Sequence, residues 1–92
     1  MWWNDKQLQK FQQKCDRAYD THNSELLLEL SKDGYEFGHN ESFEEILKAN
    51  YLYCAATSLS GLIEISFESL TGDIIEEYYE KCIYLFRTAR DC

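Results

Sequence analysis

The residues in this chain whose types and spacing could do chemistry are few. Arg17 and His22 stand in an R-x4-H arrangement within "RAYDTH". Four cysteines, Cys15, Cys54, Cys82 and Cys92, are scattered, with no C-x-x-C pair, and neither His22 nor His39 lies at ligand spacing to them. A zinc site needs about four such ligands converging, so no metal and no cofactor are expected. Adjacent carboxylates occur at Glu44–Glu45 and Glu76–Glu77. Neighbours on a helix point about 100° apart, so such pairs do not converge on one substrate. There is no glycine-rich phosphate loop and no G-x-S-x-G elbow. No catalytic constellation emerges, and the chain is not expected to be an enzyme.

The elements that must carry these residues follow from composition. Ninety-two residues make one small domain, 45% hydrophobic and 15% aromatic, enough to fold around one modest core. There is no proline, and there are only four glycines. Sheet proteins need frequent turn residues, so this scarcity predicts an all-α fold of a few long helices. The opening "MWWNDKQLQKFQQKC" turns polar after three residues and has no signal-peptide pattern, so a cytoplasmic location is expected. Net charge is −8, unevenly spread: residues 1–20 carry +1, residues 21–80 carry −11 and residues 81–92 carry +2. An acidic middle repels phosphate backbones, so nucleic acid is disfavoured as a partner. It suits a basic protein partner, or serves only as a solvated surface.

Four helices are predicted, roughly at 4–21, 24–37, 42–62 and 73–90, paired antiparallel as two α-hairpins. In the first, Leu8, Phe11, Cys15, Ala18 and Tyr19 share one face, and Lys6, Lys10, Lys14 and Arg17 the other. The second carries Leu27, Leu30, Gly34 and Phe37 as a stripe, begins at the capping residues Asn23 and Ser24, and is expected to stop at Gly38 before a short "GHNE" turn. The third opens with an S-x-x-E capping box, Ser42 and Glu45. It then runs through fifteen uncharged residues between Lys48 and Glu64, too few and too polar for a membrane span. Its apolar residues, from Ile46 and Leu47 to Leu62 and Ile63, and including Tyr53, cover more than one face, which predicts a central helix packed from several sides. The fourth opens with a D-x-x-E box, Asp73 and Glu76, followed by a wide stripe of Ile75, Tyr78, Tyr79, Cys82, Ile83, Leu85, Phe86 and Ala89. The cysteines at 15, 54 and 82 fall on these apolar faces, where a reduced thiol is a small hydrophobe.

Two resemblances attach to these segments. "GDIIEEYYEKCIYLFRTARD" (72–91) resembles the turn and second helix of a tetratricopeptide repeat, with Ile75, Tyr79 and Cys82 in the slots that family fills with alanine, an aromatic and alanine. "LKANYLYCAATSLSGL" (47–62) and "SELLLELSKDGYEFGHNESFEEILKA" (24–49) resemble the helices of such repeats too, so that about 70 residues are covered. The resemblance implies stacked antiparallel helix pairs that bind a peptide or a partner protein. "RAYDTH" resembles the short motif of HEPN-type ribonucleases, and it implies that Arg17 and His22 would act together on an RNA backbone. Against this, the motif lies in the first helix, with Arg17 on a lysine-rich face.

Binding is therefore the expected job: a tetratricopeptide-like protein-interaction module. Tyr35, Tyr51, Tyr53 and Tyr78 are the candidate anchors, and Trp2 and Trp3 act as a hydrophobic clamp or contact site. A free-standing acidic helical inhibitor of a basic target is the second reading, and the ribonuclease the third. A homodimer is expected, through the fourth helix and the first. Tyr78, Leu85 and Phe86 would form its apolar face, and the terminal Lys/Arg would meet the acidic middle of a second copy.

Overall fold

The computed structural model describes residues 5–91, so Trp2, Trp3 and Cys92 lie outside the described residues. The fold is all-α: four helices, α1 (Lys6–Asp20), α2 (Ser24–Gly38), α3 (Glu45–Ser66) and α4 (Gly72–Asp91), with a short 3-10 turn at Phe67–Ser69. No strand occurs among the described residues.

The uncharged run became the centre of the bundle. Helix α3 packs against α1, α2 and α4, and it buries residues on most of its circumference, including Leu52, Ala55, Ala56, Leu59, Leu62 and Ile63. Its neighbours each contribute one stripe: Leu8, Phe11, Cys15 and Ala18 from α1, Leu27 and Leu30 from α2, Cys82 and Leu85 from α4. One stripe of α3 stays in water, with Ile46, Tyr53, Thr57, Ser60 and Glu64 exposed, and the amphipathic helices gather round the rest. Among the described residues, no helix is long and apolar enough to cross a membrane. Cys15, Cys54 and Cys82 are buried free thiols, as their positions on apolar faces predict.

Helix ends follow local hydrogen bonding, and here several expectations fail. Asp5 caps α1 by accepting from the Leu8 amide at 2.9 Å, and Asn23 caps α2 by accepting from Leu26 at 3.1 Å. The expected Ser42–Glu45 capping box does not form. Asn40 Oδ1 takes both the Ser42 amide, at 2.9 Å, and its hydroxyl, at 2.6 Å, while Glu45 pairs with Lys48 at 3.0 Å. Helix α3 consequently starts at Glu45, not 42, and its N-cap residue Glu44 makes no side-chain cap bond. The Asp73–Glu76 box fails too, because Thr71 supplies the cap, its hydroxyl accepting from the Ile74 amide at 3.3 Å. Helix α2 does end at Gly38, with His39 as its C-cap, though this glycine has no positive φ. It is helical and buried, and a side chain there would collide with Leu52.

Helix α1 ends on a non-glycine residue in the left-handed region, His22 at φ 53°. The Asn23 amide reaches back to the Ala18 carbonyl at 2.8 Å and closes the turn. At the same end of the helix, the Tyr19 hydroxyl donates to Glu64 at 2.7 Å and ties α1 to α3.

Candidate partner-binding groove

Helices α2 and α4 both run antiparallel to α3 and lie on either side of it, which leaves a trough between them. The trough encloses about 480 Å³. Leu28 of α2, Leu59 of α3 and Leu85 of α4 make its apolar lining, and Lys32, Glu36 and Lys81 stand along its rims. Ser31 also lines it, but its hydroxyl already donates to the Leu28 carbonyl at 2.7 Å. The surface offered to a ligand is therefore mostly hydrocarbon and tyrosine ring.

Tyr35 and Tyr84 line the groove from opposite walls, and His39, just outside the lining, touches both. The rings of Tyr35 on α2 and His39, its C-cap residue, lie tilted at 4.2 Å between centroids, and Tyr84 of α4 lies 6.4 Å from each, stacked on His39. His39 Nδ1 lies 2.8 Å from the Tyr35 carbonyl oxygen, which can only accept, so this nitrogen carries a proton. In the neutral ring, Nε2 is then the acceptor for the Tyr84 hydroxyl, 3.3 Å away. Tyr78 also lines α4's wall, with Lys81 Nζ 5.9 Å from its ring centroid, and the same ammonium sits 3.6 Å from Glu77. Four carboxylates stand against one lysine in α2 (Glu25, Glu29, Asp33, Glu36 and Lys32), and the same ratio holds over 72–81 of α4. The walls are thus acidic beyond the immediate lining.

Of the four tyrosines expected as anchors, Tyr35 and Tyr78 come together in this groove. Tyr51 does not belong to any surface: it is 3% exposed and packs edge-on against Phe11 at 5.3 Å and against Phe37 at 4.8 Å. Burial raises its phenol pKa above the ordinary value. Tyr53 is exposed, but on the far side of the α3–α4 pair, 5.8 Å from Phe86. His39, Tyr84, Leu28 and Leu59 were not legible as site residues. Only the i,i+4 spacing of Tyr35 and His39 hinted at the clasp.

The other candidates separate. Arg17 and His22 are both exposed, and neither lines this groove or the second hollow between α1 and α4. That hollow, about 430 Å³, is walled by Asp16, Asp20, Tyr19, Ser58, Glu64 and Phe86 among others. The stripe predicted along α4 splits into two. Cys82 and Leu85 are buried, whereas Tyr79, Ile83 and Phe86 are 50%, 50% and 39% exposed. Comparison with family models, with curated proteins and with solved structures finds no match to this chain.

Proposed function

We propose that this chain is a protein-interaction module of the α-hairpin type, without catalysis of its own, that takes an apolar, net-basic peptide segment of a partner in the groove between α2 and α4. The observation that carries the reading is the groove itself: leucines on its floor, tyrosines on both walls and acidic helices around it. Tyrosine offers large contact area at low entropic cost, with a hydroxyl that works at a wet rim. The acidic walls would steer a basic segment towards the trough, and the leucines would hold its apolar face. A tetratricopeptide-like origin is compatible with this use. The second reading, an acidic inhibitor that blocks a basic target, draws on the same carboxylates and differs in needing no apolar anchor.

A displayed library of random twelve-residue peptides tests the reading. Peptides selected on the wild type should be rich in Leu/Phe and Lys/Arg, should shift the methyl resonances of Leu28, Leu59 and Leu85, and should lose binding to a Tyr35→Ala, Tyr84→Ala variant. Selected peptides that shift resonances elsewhere, or bind the variant equally, would remove the groove from the proposal. Lys/Arg-rich peptides without apolar residues would favour the inhibitor.

A further inference from the structure

We infer that helix α4 is also a self-association surface, on which a second copy of this chain docks antiparallel about a two-fold axis at Ile83. Tyr79, Ile83 and Phe86 are half-exposed or nearly so and recur at i, i+4 and i+7, within an arc of about 60° on the helix. Phe86 meets Tyr53 edge-on, so the aromatic surface continues onto α3. The Tyr78 and Leu85 expected on the dimer face belong instead to the groove, on roughly the opposite side of α4.

Charge decides which partner fits. At about 100° per residue, Glu76, Glu80, Arg87 and Arg90 fall on the same side of α4 as Ile83, and all four are exposed. The two acids lie before Ile83 and the two arginines after it. A two-fold axis through Ile83 sets Glu76 opposite Arg90 of the second copy, and Glu80 within a residue of Arg87. Each relation occurs twice. Parallel pairing would instead stack acid on acid and arginine on arginine. The face is thus complementary to itself in one orientation only, as an isologous interface requires. The contact between Arg90 and Asp91, at 3.3 Å, joins exposed neighbours and competes weakly. Because the groove opens on the other side of α4, a dimer would present two grooves and could bind a bivalent partner with avidity.

Sedimentation across a hundredfold concentration range, with circular dichroism to verify folding, tests this. The wild type should pass from monomer to dimer. Glu76→Arg with Glu80→Arg, and separately Arg87→Glu with Arg90→Glu, should each weaken self-association about tenfold or more. A 1:1 mixture of the two variants should associate at least as well as the wild type. As a second measurement, Ile83→Cys in a Cys92→Ser background should oxidise to a cross-linked dimer, because the two substituted positions face each other across the axis. A wild type that stays monomeric throughout would overturn the inference. So would a dimer indifferent to both charge reversals, or a mixture that fails to associate.

Discussion

Gly34 of α2 rests directly on Ala55 of α3. A methyl group on Gly34 would stand 2.8 Å from the Ala55 Cβ and 2.8 Å from the Tyr51 carbonyl oxygen. Neither neighbour is the movable end of a long side chain, so the two helices would have to separate. Alanine improves helix propensity by up to about 1 kcal/mol, but overpacking at a rigid contact costs about 1–3 kcal/mol. Gly34→Ala is therefore expected to lower the denaturant midpoint with an unchanged m-value. A raised midpoint would show that the α2–α3 crossing is looser than described.

The clasp formed by Tyr35, His39 and Tyr84 is expected to hold the fourth helix against the second. His39→Ala removes the polar contact to the Tyr84 hydroxyl and the ring stacked on Tyr84, both across the groove, and the local contact to the Tyr35 carbonyl. The cost in global stability should be modest, about 0.5–1.5 kcal/mol. Local opening is the sharper readout. Amides in 80–90 should exchange faster in the variant, while those in 52–62 hold their protection. Equal acceleration in both segments would mean that the clasp supports the whole bundle rather than the groove.

Much of this architecture was legible because it depends on hydrophobic period, which local bonding cannot overrule. The uncharged run predicts a helix packed from several sides, and α3 packs against α1, α2 and α4 while a stripe through Tyr53, Thr57 and Ser60 stays exposed. Ala56, within that run, is fully buried, with its carbonyl 3.7 Å from the Cys82 thiol of α4. The helix starts were less legible, since capping is a contest among nearby polar groups. Asn40 captured Ser42 and Lys48 captured Glu45, and spacing alone cannot reveal a winner. The width of α4's stripe misled for another reason. One face of a helix this small can be buried against α3, so Tyr79 stayed outside although it lies one turn from Cys82, and Ile83, about 100° round from Cys82, stayed outside with it. The groove was half legible: Tyr35 and Tyr78 stood out as aromatic, but their convergence depends on how α2 and α4 flank a third helix.

Arg17 and His22 are expected to cleave no RNA. The Arg17 carbonyl accepts from the Thr21 amide and hydroxyl, and His22 follows as the left-handed residue that ends α1. Both side chains are solvent-facing, and neither lines either of the two hollows described above. Incubation with single-stranded and structured RNA should leave both intact, with an Arg17→Ala, His22→Ala variant as control. Cleavage by the wild type that the double variant abolishes would reverse this expectation and make α1 a catalytic surface.

Alkaline instability is the remaining expectation, and it comes from buried sulfur. Burial pushes the Cys54 thiol up to about 12 and the Cys82 thiol up to about 11, from an ordinary value of 9.0. Below pH 9 both groups are protonated whether the chain is folded or not, so their contribution is fully present. Between 9 and about 12 the unfolded chain releases these protons while the folded chain retains them, and stability falls as pH rises. In a Cys92→Ser background, the melting midpoint should be flat from pH 7 to 8.5 and then decline, with part of the decline abolished by Cys54→Ala. The substitution itself lowers stability at every pH by opening a small cavity, so the slope against pH is the quantity to compare. Native-state alkylation at pH 8 should be slow for Cys15, Cys54 and Cys82 alike, because the thiolate is the reactive form. Rapid labelling of Cys54, or a pH slope that survives its removal, would show that this thiol is not enclosed between the first and third helices.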